Sequence, residues 1–157
     1  MIFIRGDYQI NTDKDKLQIE VIHRYLTESA YWATGRTLEM TKKTIEHSLC
    51  FGVYHRKQQV GFSRIVTDYT IFAYLCDAFI LPEYQGQGLG KWLTEAMLQV
   101  LDHEGVNWSM LATRDAHELY EIYGGYKKLY LPQNWMGRVH PDLLRSPQKK
   151  FSVPGEQ

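Results

Sequence analysis

Cysteine is scarce in this chain. Cys50 and Cys76 are the only two, and no C-x-x-C is present. Both sit in apolar, strand-like surroundings, which reads as two buried, reduced thiols in a cytoplasmic protein. No His/Cys/Asp/Glu cluster has metal-ligand spacing, so no metal is expected, and no Ser-His-Asp arrangement is suggested. An excess of either charge is also missing. Lys plus Arg is 18 and Asp plus Glu is 18, a formal net charge of zero. A nucleic-acid binder shows a basic excess or stripe, so nucleic acid and anionic membranes are not expected partners. No apolar run approaches a membrane span, and Met1 to Asp7 lacks the apolar block of a signal peptide. Repeats and low-complexity segments are absent as well.

What is present fits one mixed α+β domain over residues 1–145, with 146–157 as a loose tail. Asp7 to Ile10 reads as a short strand. Thr12 or Asp13 caps a helix over Lys14 to Thr27, and Thr41 caps a second through Leu49. Cys50–His55 and Val60–Tyr69 read as a hairpin. Phe72–Leu81 is almost wholly apolar and therefore central, with Asp77 its one charge. Leu89, Leu93, Ala96, Met97 and Val100 keep helical spacing up to Gly105. Trp108–Thr113 is a short strand, Asp115 caps a last helix that Gly124-Gly125 stops, and Tyr126–Leu131 is a final strand.

Between the apolar strand and the long helix lies Gln85-Gly86-Gln87-Gly88-Leu89-Gly90. Strand, glycine-rich loop, helix is an anion-binding geometry. Backbone N–H groups at a helix start lack partners and the helix dipole adds positive charge. Glycine removes the Cβ atoms that would hold a phosphate away. Gly90-Lys91 is followed by Trp92, which excludes a nucleoside-triphosphate P-loop. Gly86, Gly88 and Gly90 do not give the dinucleotide spacing, and three strands in succession precede the loop, the wrong context for that fingerprint.

The segment from Asp77 to Gly90 resembles the acetyl-CoA motif of the GNAT superfamily of N-acetyltransferases. Gln85, Gly88 and Gly90 fill its defining positions. Ala116-His117-Glu118-Leu119-Tyr120-Glu121 resembles the family's A-x-x-L-Y-E helix. The resemblance runs from about Asp7 to about Met136. Departures are Ile122 for the usual Lys, one extra residue in Gly124-Gly125-Tyr126, and Thr113 where Asn is usual. The resemblance implies a central mixed, mostly antiparallel sheet flanked by about four helices. Two parallel strands splay at a bulge, and acetyl-CoA binds in the gap as co-substrate. Phe79, Ile80 and Leu81 would supply backbone hydrogen bonds to pantetheine, with an N–H near Ile80 facing the acetyl oxygen. Gln85, Gly86, Gln87, Gly88, Leu89, Gly90 and Lys91 would hold the pyrophosphate.

The resemblance also implies acetyl transfer to a primary amine by direct attack in a ternary complex. Tyr120 matches the family's general acid at the thioester sulfur. Its bland alternative is a core tyrosine, and Tyr123 stands one turn on. Asp77 is the expected base, through a pKa raised by burial; otherwise it is a structural partner of an Arg such as Arg64. His117 reads as an exposed helix residue before a base. Tyr31 and Trp32 either wall the acceptor site or anchor their loop. The acceptor, a small-molecule or peptide amine, is unassigned, and homodimerisation stays open. Two other readings remain: a non-catalytic acetyl-CoA-binding or interaction module, and a binder of another phosphate ligand.

Overall fold

A computed structural model of the chain describes residues 1–141. The backbone divides into two compact units, Met1–Tyr126 and the part from Lys127 onward. The tail expected at 146–157 lies outside the described residues.

The first unit is a six-stranded sheet in the order β1-β2-β3-β4-β5-β6. Its strands are β1 (Ile2–Arg5), β2 (Tyr8–Asn11), β3 (Leu49–His55), β4 (Gln58–Thr67), β5 (Phe72–Ile80) and β6 (Trp108–Leu111). Neighbours are antiparallel except β5 and β6, which run parallel. Four helices complete it: α1 (Ile19–Glu28), α2 (Leu38–Glu46), α3 (Leu89–Glu104) and α4 (His117–Gly124). This is the mixed, mostly antiparallel α+β arrangement expected from the sequence. No helix among the described residues is long and apolar enough to cross a membrane.

Two apolar clusters form, as the period-2 alternation of the strands requires. Ala73, Leu75 and Ile80 of β5 join Leu89, Leu93, Ala96, Met97 and Val100 of α3 in one. Phe79 and Phe62 join Ile22, Leu26 and Ile45 of α1 and α2 in the other. The central strands are thus covered on both faces.

Several sequence-based boundaries move, each for a local reason. The expected helix over Lys14 to Thr27 is interrupted. Lys14–Lys16 forms a 3₁₀ turn capped by Asp13, and α1 begins only at Ile19. Between them Gln18 accepts from the Gln59 N–H and donates to the Lys57 carbonyl, which holds it out of helix. The second helix starts earlier than expected, because Thr37 rather than Thr41 caps it through the Met40 N–H at 3.2 Å. Thr41 is instead buried against His23. The expected strand Tyr126–Leu131 does not form. Gly125 is left-handed and the Tyr126 N–H turns back to the Tyr120 carbonyl at 3.1 Å, closing α4 in a Schellman-type cap. Asp115 does not cap α4. The Thr113 hydroxyl accepts the Ala116 N–H at 3.0 Å, a use for the residue that replaces the usual Asn.

In the part from Lys127 onward, Leu131 opens a 3₁₀ turn over Pro132–Asn134.

Candidate functional site

The site begins with a fault in the sheet. Between β4 and β5 the register shifts, with Phe62 opposite Phe79 but Arg64 opposite Cys76. One β4 residue, Ser63, therefore faces two on β5, Asp77 and Ala78, which defines a bulge. Asp77 takes the left-handed conformation there, φ 55, a region Asp enters more readily than most residues. The other edge of β5 opens at the same level. Its pairing with β6 runs from Phe72↔Trp108 to Leu75↔Leu111 and stops. Beyond Leu75, β5 continues to Ile80 with no strand on that side among the described residues.

Alternation identifies which backbone groups face the opening. The Leu81 N–H donates to the Val60 carbonyl at 2.8 Å. In an antiparallel ladder bonded pairs alternate, so Phe79 turns toward β4 and Ile80 between them turns its N–H and C=O outward. Of Phe79, Ile80 and Leu81, only Ile80 turns backbone groups to the free edge, and of these the N–H is open while the carbonyl receives Gln85. Leu81 is committed to Val60, and the Phe79 ring stacks on Tyr25 at 3.9 Å.

The chain leaves β5 through a 3₁₀ turn over Pro82–Tyr84. The Gln85 side chain then donates from Nε2 to the Ile80 carbonyl at 2.9 Å, tying the loop to the strand end. Gly86 and Gly88 are left-handed, at φ 75 and φ 74, and Gly88 is the N-cap of α3. The first backbone bond of that helix runs from the Trp92 N–H to the Gly88 carbonyl. The N–H groups of Gly88, Leu89, Gly90 and Lys91 have no protein acceptor among the described residues. These four donors, with the helix dipole behind them, fit a diphosphate. Leu89 is itself buried in the core, and the Lys91 ammonium lies over the Tyr123 ring at 4.6 Å.

Asp77 is where the structure departs most from the sequence expectation. Its carboxylate accepts from Arg36 Nη1 at 2.6 Å and Nη2 at 3.2 Å, from Arg64 Nε at 2.6 Å, and from Trp32 Nε1 at 3.1 Å. Burial pushes the carboxyl up, but the hydrogen bond from Arg36 and the charges of Arg64 and Arg36 outweigh it, leaving Asp77 below the ordinary carboxylate value. The expected upward shift is therefore reversed. Four donors also fill the four lone-pair sites of the carboxylate, so none remains for a substrate proton. The Arg64 partnership is the structural alternative named from the sequence; Arg36 and Trp32 were not anticipated in it.

Tyr31 and Trp32 lie in a 3₁₀ turn, Tyr31–Ala33, with ring centroids 4.9 Å apart. Arg114 stacks over the Tyr31 ring at 3.6 Å, and Trp32 reaches the bulge through Asp77. The two aromatics are thus half-exposed and anchored at once.

Tyr120 is buried on α4 beside Tyr126, and Leu119 packs 3.9 Å from the Cβ position of Gly90. The helix therefore lies against the start of α3. No hydrogen bond from the Tyr120 hydroxyl forms among the described residues. Burial, then Tyr126, Asp115 and Cys76, push its pKa up to about 12. The phenol stays protonated near neutral pH. Tyr123 is half-exposed and occupied with Lys91. His117 is exposed.

Sequence reasoning missed the contribution of the first hairpin. Arg5, on β1, donates from Nη2 to the Gln87 carbonyl at 3.1 Å and lies over Trp92 at 4.9 Å. Tyr8, on β2, donates to Gln87 Oε1 at 2.7 Å. Strand β1 carries no strand signal in the sequence, because only Phe3 within it is even half-buried and no inside-outside alternation marks it.

The acetyltransferase (GNAT) family profile matches residues 19–125. A crystal structure of a GNAT-family protein from Xanthomonas campestris pv. campestris is similar at TM-score 0.81 and 40% identity, covering 88% of this chain and 97% of that one. The protein FG08082 of Gibberella zeae, provisionally named an acetyltransferase, is 33% identical over 140 residues, 74% of this chain and 77% of its own length. An uncharacterized N-acetyltransferase, ycf52 of Gracilaria tenuistipitata var. liui, is 33% identical over 87 residues, 52% of this chain and 47% of its own.

Proposed function

This chain belongs to the acetyltransferase (GNAT) family, and we propose that it transfers an acetyl group from acetyl-CoA to a primary amine by direct attack. The observation that carries the reading is the pairing of two features on one strand end. The open β5 edge offers Ile80, and four unpartnered N–H groups from Gly88 to Lys91 follow it. A ligand with amides at one end and a diphosphate at the other satisfies both. Acetyl-CoA supplies an acetyl thioester activated for attack by nitrogen.

The chain's own groups divide the work. The outward Ile80 N–H faces the acetyl oxygen and stabilises the charge it gains. Tyr120 meets the departing sulfur. A free thiol titrates at about 8.5, well below the Tyr120 phenol at about 12. Tyr120 therefore acts mainly as a hydrogen-bond donor in the transition state, and a proton it passes to sulfur is promptly replaced. Asp77 fixes the Trp32 and Arg36 wall on the acceptor side, and the amine proton leaves to water.

Direct attack is favoured over an acyl-enzyme by the state of Cys76, the thiol that precedes Asp77 on β5. Burial pushes it up to about 11, against the opposing charge of Arg64, so it holds its proton at neutral pH and is a poor nucleophile.

Thiol release from acetyl-CoA with a panel of primary amines tests the reading, beside calorimetric titration with acetyl-CoA, ATP and NAD. Acetyl-CoA should bind and at least one amine should turn over. Failure of acetyl-CoA to bind would refute it, as would preference for ATP or NAD. Binding with no turnover on any amine would favour a non-catalytic module.

A further inference from the structure

The cluster around Asp77 is electrically unbalanced. One carboxylate meets two guanidiniums, and all three are withdrawn from solvent: the side chains of Arg36, Arg64 and Asp77 are 15%, 11% and 2% exposed. Asp77 is saturated with donors, but the arginines are not saturated with acceptors. Arg36 spends Nη1 and Nη2 on Asp77, and Arg64 spends Nε on Asp77 and Nη1 on the Ser48 hydroxyl at 3.1 Å. Arg36 Nε and Arg64 Nη2 have no acceptor among the described residues.

The surroundings do not restore the balance. Trp32 contributes another N–H to Asp77, not an acceptor. Arg114, over Tyr31, adds a third cation, and the exposed Asp115, whose charge also reaches Tyr25 and Tyr120, is the second acid, so the cations still outnumber the acids by one. A partly desolvated positive charge with spare donors is a receptor for an anion. It is bounded by the half-exposed Tyr31 and Trp32 and by the bulge of β5, the side that the amine-acetylation reading gives to the acceptor.

We propose that the amine acetylated here carries an anionic oxygen group, a carboxylate or a phosphate, received by Arg36 and Arg64 beside Trp32. This rests on the amine-acetylation reading above and narrows its substrate class. The surplus positive charge has a second effect. It disfavours the ammonium form of the bound amine and favours the neutral nucleophile, a task that the saturated Asp77 cannot perform. Polyamines and lysine-rich peptides are disfavoured by the same charge.

Four matched amines test the proposal: β-alanine, β-alanine amide, 2-aminoethyl phosphate and 1,3-diaminopropane. Thiol release gives KM and kcat for each. In parallel, NMR follows the Trp32 Nε1–H and arginine Nε–H signals of the acetyl-CoA-loaded protein. One of the two anionic amines should exceed both the amide and the diamine in kcat/KM by about tenfold or more, mainly through KM. The better of the pair identifies carboxylate or phosphate. Arg36→Gln should erase that preference, bringing kcat/KM of the anionic amines down to the level of the amide in the same variant; Arg36→Lys, which keeps the charge and loses the fork, should retain part of it. If Arg36→Gln does not fold, Arg36→Lys carries the comparison. A diamine or amide that matches the anionic amines overturns the proposal while amine acetylation stands. Retention of the full preference in Arg36→Lys and Arg36→Gln overturns it too. If no amine turns over, amine acetylation fails separately. Shifts of the Trp32 and arginine signals with the anionic amines alone would then still support the anion site, and their absence would overturn it.

Discussion

Gly86, Gly88 and Gly105 share one backbone conformation, with φ 75, 74 and 74, yet they stand at functionally different places. Gly88 is the N-cap of α3 and Gly105 its C-cap. An added Cβ meets nothing within 4 Å at Gly86 or Gly105, and at Gly88 only Arg5 Nη1 at 3.8 Å, an ordinary contact. Substitution by Ala therefore carries no steric cost at any of the three. It carries the left-handed penalty of an L-residue, about 1–2 kcal/mol, reduced by about 0.4–1 kcal/mol because Ala also restricts the unfolded chain. The three variants should each lose about 1 kcal/mol, or about 2–5 °C in Tm for a unit of this size. Acetyl-CoA affinity should separate them. At Gly88 the new methyl stands among the free N–H groups that follow it. Loss of about one charge-assisted hydrogen bond, about 1.5–3 kcal/mol, weakens binding by about tenfold or more. At Gly105, at the far end of the helix, binding should be unchanged. Scanning calorimetry and isothermal titration of the Gly88→Ala and Gly105→Ala proteins decide the matter. Equal affinities at equal loss of Tm would refute the assignment of the N-terminus of α3 to the phosphates.

Tyr120→Phe should lower kcat by tenfold or more with acetyl-CoA affinity within about twofold. Its stability should stay within about 0.5 kcal/mol of the parent, since the hydroxyl makes no hydrogen bond among the described residues; equal loss of binding and turnover would make the residue structural. Cys76→Ser should keep kcat within about twofold if attack is direct, and loss of turnover with an intact fold would point to an acyl-thiol. Asp77→Asn leaves two guanidiniums around a neutral amide, and urea unfolding at pH 7 should show a loss of about 3–5 kcal/mol. Because the folded Asp77 pKa is lowered, its stabilisation is present above the ordinary carboxylate value and lost as pH falls through the folded one. The parent should lose stability below about pH 4 more steeply than Asp77→Asn, and parallel curves would contradict the ion-pair account.

Sequence legibility followed the range of the interactions. The helix from Leu89 to Gly105 was readable to within a residue, because apolar spacing, a glycine start and a left-handed glycine stop all lie within it. The hairpin β3–β4 was readable from local alternation. Failures came where a partner lies far along the chain. Gln18 is held out of helix by Lys57 and Gln59, and β1 is a strand only because β2 offers it an edge, Ile2↔Asn11 to Arg5↔Tyr8. Tyr126 has strand-forming composition but closes α4 instead, and a following Lys-Lys-Leu-Tyr carries no signal that distinguishes the two outcomes.

Asp77 stands out in the sequence as a lone acid in an apolar strand, but the sequence gives the wrong direction for its titration, for a reason general to such positions. Desolvation can be read from neighbours in sequence; ion pairs cannot, because Arg36 is 41 residues away and Arg64 is 13. Their arrival changes the sign of the shift. It also explains why an Asp sits at φ 55. The bulge aims one carboxylate off the regular face of β5, and Arg36, Arg64 and Trp32 converge on it from α2's approach, β4 and the Tyr31–Ala33 turn. The strain of a left-handed non-glycine residue is thus offset by four hydrogen bonds to a charge. On the proposed function, the residue at the bulge also fastens the wall against which the amine would bind. An Asp77→Gly change separates the two roles: glycine accepts the backbone conformation without strain, so the bulge survives while the wall is released.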